Sequence, residues 1–241
     1  MTLILGSSLG TTGAMFDANA AALEARTRLI RYDHRGHGSQ PAPEGDWVIA
    51  DFGRDVLALM DRLGIESASL GGVSLGGMAA MWVAAHAPER VDRLVLACTT
   101  AAFGDPVMWE ERARTVRTAG TTETIADTIV ARWLTPAFAE RNPDVLARLR
   151  ALLVASPAAG YAAACEAIGR MDQRADLARI TAPTLVIGAA DDLATPPHHQ
   201  EELARLIAGA RLEIIADAAH LANVEHSRTF ERLVIGHLDS Q

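Results

Sequence analysis

Short runs of apolar residues recur along the chain, separated by longer stretches in which apolar positions return every three or four residues. The runs Thr2–Gly6 (TLILG), Arg28–Asp33 (RLIRYD), Ser67–Val73, Arg93–Ala97 (RLVLA), Thr184–Gly188 (TLVIG) and Arg211–Ala216 (RLEIIA) have the length and composition of strands. Most are apolar at both alternations, which predicts strands covered by helices on both faces. Between them, Asp51–Leu63 sets Val56, Leu59, Met60 and Leu63 on one helical face and stops at Gly64. Leu75–His86 is apolar nearly all round, as a buried helix would be, and ends before Pro88. His199–Ile207 and Val224–Leu238 complete the helical set. The alternation predicts an α/β fold: a mostly parallel sheet of about six strands with helices on both faces.

From Phe103 to about Ile180 the rhythm breaks. No good strand occurs there, and four prolines stand between Pro106 and Pro157. The stretch reads as a helical insertion, giving a core of residues 1–102 and 181–241 and a cap of residues 103–180.

The length of 241 residues suits one α/β domain, and 49% hydrophobic against 22% charged residues predicts a buried core. Thirty acidic against 22 basic residues leave a net charge of −8, which argues against a nucleic-acid or anionic-membrane surface. Every basic residue is Arg, so chemistry that needs a lysine is excluded. Cys98 and Cys165 are too few for a disulfide framework or a cysteine zinc site. The longest apolar run, Met78 to Ala85, is far short of a membrane span, and no basic stretch opens a secretory signal. A soluble, cytoplasmic protein is expected.

The sharpest chemical signal is Gly72-Val73-Ser74-Leu75-Gly76, a G-x-S-x-G between a predicted strand and a predicted helix. Chance places this pentapeptide in roughly 6% of shuffled chains of the same composition, so the strand–turn–helix context decides its meaning. In that context it is a nucleophile elbow, a tight turn that lifts a serine above the sheet. A serine needs an adjacent base, and in this arrangement the acid and then the histidine follow it in the chain. His220, after RLEIIADAA, has the required order and strand-end position. His34 and His37 precede the serine, His86 lies in the helix behind it, and His198, His199, His226 and His237 fall at or in later helices. Asp191 and Asp192 compete as the acid. Asp192, three before Thr195-Pro196, is favoured, to hold the His220 tautomer and stabilise its imidazolium. An oxyanion needs two backbone N–H groups: one from Leu75, the other from the loop Gly6–Thr12, where Ser8 is chosen over a plain glycine-serine turn. His34 and His37 mimic a metal pair but lack further ligands, and no dinucleotide fingerprint surrounds Gly71 or Gly77. No metal and no cofactor are expected.

The stretches SSLGTT, RYDHRGHG, GVSLGGMAAMWVAAHAPERVDRLVLACT, MWEERARTVR, PTLVIGAADDLATPP and AAHLANVEH together resemble the α/β-hydrolase superfamily, and within it the 3-oxoadipate enol-lactonases. The resemblance implies an α/β-hydrolase fold with a helical cap and a triad of Ser74, Asp192 and His220. It also implies opening of the 3-oxoadipate enol-lactone in aromatic-compound catabolism, with no cofactor. Family members usually carry two more strands ahead of the one at Thr2. Without them, Arg28–Asp33 is expected at the sheet edge, where unpaired backbone groups could seat a second copy of the chain.

The expected partner is a small lactone or ester with a free carboxylate, which calls for a cation facing Ser74. Arg112 and Arg132 are candidates, with Trp109 and Trp133 as apolar walls; solvated helix arginines and core tryptophans are the competing reading. A broader carboxylesterase, a perhydrolase or a C–C hydrolase would use the same triad. Outside catalysis, a ligand-binding or inactive relative would keep the scaffold alone.

Overall fold

The computed structural model describes residues 1–240. Six strands form one sheet: β1 (Thr2–Gly6), β2 (Arg28–Tyr32), β3 (Ala68–Val73), β4 (Val91–Ala97), β5 (Thr184–Ala189) and β6 (Arg211–Ile215). Their spatial order is β2-β1-β3-β4-β5-β6, and every pairing is parallel. Gly6 stands beside Gly72 and Val73 beside Ala97, so the carboxyl ends of β1, β3 and β4 open on one side of the sheet. β3 and β5 are buried along their whole length, while the outer strands β2 and β6 are partly exposed, as their mixed sequences require. At the β2 edge, Arg31 pairs with Asp17 at 2.6 Å.

The strand order assigns the helices to faces. From β1 the chain steps outward to β2 through α1 (Asp17–Glu24), then reverses through α2 (Ile49–Arg62), α3 (Leu75–His86) and α9 (Pro197–Leu206). Right-handed crossovers put α1 on one face and the other three on the opposite face. α2 packs on α3, and the C-terminal α11 (Ser227–Leu238) packs on α1. α2 ends as expected at Gly64, whose φ of +64° forms a left-handed stop. Ile65 N–H bonds to Met60 O and Gly64 N–H to Asp61 O, satisfying the last carbonyls. Its buried face is Phe52, Val56 and Met60; Leu63, expected inside, is 38% exposed at the cap.

Two helices differ from the sequence reading. The final one is broken at His226, giving α10 (Ala222–Glu225) before α11, because the His226 ring bonds to Asp217 O and holds the chain bent. Helix α1 was not expected: its alanine-rich sequence has little periodicity and buries only Asn19 and Leu23.

The insertion between β4 and β5 is helical throughout: α4 (Val107–Ala119), α5 (Glu123–Val130), α6 (Pro136–Arg141), α7 (Pro143–Val154) and α8 (Ala158–Gly169). Its four prolines each stand at a helix start, where a missing N–H costs nothing. An antiparallel bridge between Ala102 and Asp172, and a bond from Gln173 N–H to Ala101 O, bring its two ends together. No single helix among the described residues is long and apolar enough to cross a membrane.

Candidate active site

Ser74 sits between β3 and α3 with φ +56° and ψ −114°, a strained conformation for a residue with a Cβ. Four hydrogen bonds hold it: Ser74 N–H to Ala97 O at 2.9 Å, Gly76 N–H to Ser7 O at 3.0 Å, Met78 N–H to Ser74 O at 3.0 Å and Thr99 Oγ1 to Ser74 O at 2.8 Å. The turn can close this tightly only because a Cβ at position 76, which would run into the Gly6 carbonyl, is absent. The serine is thereby placed at the carboxyl end of the central strands.

His220 and Asp192 meet in the loops after β6 and β5. His220 Nδ1 lies 2.8 Å from Asp192 Oδ2, and both side chains are almost wholly buried. Asp192 also accepts from Ala194 N–H at 2.7 Å, Thr195 N–H at 3.0 Å and the Thr195 hydroxyl at 2.7 Å. Burial alone would raise its pKa; the charge and hydrogen bond of His220, with the Thr195 donors, outweigh that and hold the carboxyl below its usual range. An ionised Asp192 accepting Nδ1–H leaves Nε2 as the basic nitrogen. Asp191 is exposed, its backbone tied to Ala218 O. Beneath the pair, Cys98 has φ +43°, and burial together with the Asp192 carboxylate pushes its thiol well up.

The loop after β1 amends one expectation. Ser8 N–H donates to Met15 Sδ at 3.2 Å, a sulfur that also takes the Thr11 hydroxyl at 3.0 Å. The amide chosen from sequence is therefore engaged, while Leu9 N–H in the same pocket has no acceptor among the described residues. Leu75 N–H, at the start of α3, is likewise free. Of the two amides, Leu9 N–H is the one left without an acceptor. His34 supports the loop from below through Nε2–H to Ser7 O at 2.9 Å, so it is a buried structural histidine rather than half of a metal pair. The His37 ring bonds to Arg35 O, and the described residues contain no group of side chains able to hold a metal.

Ser74 and His220 open on a pocket of about 590 Å³ including its mouth. Its roof comes from the insertion: Trp109, Arg112, Arg132 and Trp133 all line it, as do Ile129 and Tyr161, which the sequence did not single out. The Arg112 guanidinium lies 4.5 Å from the Trp109 ring centre. Among the described residues neither Arg112 nor Arg132 has a carboxylate partner, whereas Arg117 pairs with Glu166 and Arg150 with Asp127. Burial pushes the Tyr161 phenol well up, and nearby Arg112 pulls it part of the way back. Trp109 Nε1 and Tyr161 Oη are buried without a hydrogen-bond partner among the described residues.

Residues 2–227 match the family described as alpha/beta hydrolase fold. The chain belongs to that family. It is 39% identical to 3-oxoadipate enol-lactonase 2 of Acinetobacter baylyi over 96% of this chain and 86% of that one. It is 33% identical to enol-lactonase 1 of the same organism over 99% and 88%. Among solved structures, the enol-lactonase from Burkholderia xenovorans LB400 superimposes with a TM-score of 0.96 at 40% identity, covering 99% of this chain and 91% of that one. A malate-bound thermophilic esterase from Thermogutta terrifontis superimposes with a TM-score of 0.93 at 26% identity, covering 99% and 89%. This α/β-hydrolase is an enzyme of the esterase and lactonase type, closely related to the enol-lactonases.

Proposed function

We propose that this hydrolase opens an enol-lactone carrying a free carboxylate, of the 3-oxoadipate type. The observation that carries the proposal is the pair Arg112 and Arg132, which have no carboxylate partner among the described residues, in the pocket that holds Ser74. A guanidinium left without a carboxylate beside apolar walls can take a ligand carboxylate in bidentate fashion. The enol-lactonase relatives and the malate in the esterase support the same reading.

Ser74 Oγ attacks the lactone carbonyl carbon while His220 Nε2 accepts the hydroxyl proton. Asp192 steadies the resulting imidazolium, and Leu9 and Leu75 N–H groups hold the tetrahedral oxyanion. Collapse breaks the bond to the ring oxygen. That oxygen leaves as an enolate, a good leaving group, and takes the proton back from His220. The ring is then open and its acyl end is esterified to Ser74. Water, deprotonated by His220, attacks this ester and releases the second carboxylate as Ser74 recovers its proton. The enol relaxes to the ketone. No step draws on an electron acceptor or a metal.

The test is to generate the enol-lactone from muconolactone and follow its loss. Wild type should consume it, and Ser74→Ala should not while unfolding at the same urea concentration. Rapid turnover of a neutral ester with none of the lactone would replace this reading with a general esterase.

A further inference from the structure

Glu225 follows His220 by five residues and does not line the pocket, yet its carboxylate joins the His220 loop to the helical insertion. Oε2 accepts Ala219 N–H at 2.9 Å. Oε1 accepts Thr135 N–H at 3.1 Å and the Thr135 hydroxyl. One residue past His220, Leu221 N–H donates to Trp133 O at 2.9 Å. The residues on either side of His220 are thus tied to Trp133 directly and to Thr135 through the Glu225 carboxylate, in the same stretch whose Arg132 and Trp133 form the pocket wall.

The choice of a carboxylate is informative. Glu225 is buried and has no cationic partner among the described residues, an arrangement that costs free energy unless its oxygens are filled with donors. Three donors from two parts of the chain converge on it. Two acceptor-only oxygens satisfy all three, whereas an amide would turn an NH2 group toward one side and meet donor with donor. Capping α6 does not require this. The Thr135 hydroxyl already accepts Phe138 N–H, and the Ala219 arm plays no part in that cap.

We infer that Glu225 is a positioning residue for hydrolysis: it sets the base His220 and the substrate wall Arg132–Trp133 in one register. The inference rests on the Ser74–His220–Asp192 reading of the site. An imidazole displaced by a fraction of an ångström loses rate on the proton-transfer step without losing affinity for a small ester.

The test compares wild type, Glu225→Gln, Thr135→Val and the double variant. Three quantities are read: the rate of Ser74 modification by a fluorophosphonate, kcat and KM for 4-nitrophenyl acetate, and the urea midpoint. Glu225→Gln should slow both Ser74 modification and kcat by about tenfold or more, with KM within about twofold. Thr135→Val, which removes the hydroxyl arm and with it the α6 cap bond from Phe138 N–H, should show a smaller loss of the same kind. The double variant should be no slower than Glu225→Gln, because both changes break one contact. If Glu225→Gln does not fold, Thr135→Val carries the test alone. Unchanged modification rates in the folded variants, a loss confined to KM, or additive losses in the double variant would overturn the inference. Failure of wild-type Ser74 to react would instead remove the triad reading beneath it.

Discussion

Gly160 of α8 stands directly against Gly36 in the loop after β2: a Cβ on either would lie 2.6 Å from the other's Cα. The insertion is seated on the core at this point by the absence of two side chains. Gly160→Ala should therefore lift α8 and move the adjacent Tyr161 out of the pocket wall. We expect a loss of about 1–3 kcal/mol, the usual penalty for overpacking, and a drop in turnover, read by urea unfolding and ester hydrolysis. A variant as stable and active as wild type would show that the contact has slack.

Asp192→Asn should lower kcat by about 10³–10⁴-fold, because an amide beside Nδ1 favours the wrong imidazole tautomer. Asp191→Asn, at an exposed position bonded only through its backbone, should stay within about twofold. Steady-state kinetics of the two folded variants decide between the acids. Equal losses would move the role away from Asp192.

Arg112→Gln should raise KM for the carboxylated lactone about tenfold or more while leaving KM for a neutral ester nearly unchanged, the signature of a lost ground-state anion contact. Arg132→Gln is the control for the second cation. If neither distinguishes the two substrates, the carboxylate is bound elsewhere.

Much of this site was legible because its chemistry depends on local rules. The strained serine turn needs glycine at position 76, and the order Ser74, Asp192, His220 follows from successive strand ends. Asp192 stood out from Asp191 through the Thr195 hydroxyl and amide three residues on, which close a turn around its carboxylate. Non-local relations stayed hidden. Nothing in SSLGTT reveals that Met15 takes the Ser8 amide and leaves Leu9 free. Nothing near Glu225 reveals Thr135, ninety residues earlier in the chain. The break at His226 is hidden for the same reason, since its ring is held by Asp217 O across a turn.

Acid should weaken the fold through His34. Burial, with a further contribution from neighbouring His37, pushes its imidazole down to about 3. In the unfolded chain it titrates near 6.5. Between those values the unfolded state binds a proton that the native state refuses, so stability falls as pH drops through this window. The slope from this one group is at most about 1.4 kcal/mol per pH unit. The lowered carboxyl of Asp192 works in the same direction, its stabilisation vanishing as pH falls through its folded pKa. Urea midpoints of wild type and His34→Gln between about pH 7 and about pH 4 separate the contributions. The variant should show the shallower dependence, and parallel curves would exclude His34 as a source.

The insertion departs from the core and returns to it at one place, where Ala101 and Ala102 meet Asp172 and Gln173. To the adjacent strands β4 and β5, the five helices are a detour whose length and content are invisible. A different set of helices with the same spacing between its ends could be transplanted there without altering strand register or the serine turn. Selectivity and bond-breaking machinery can thus change hands separately, with seams to restitch where Trp133 and Thr135 meet the His220 loop and where Gly160 meets Gly36.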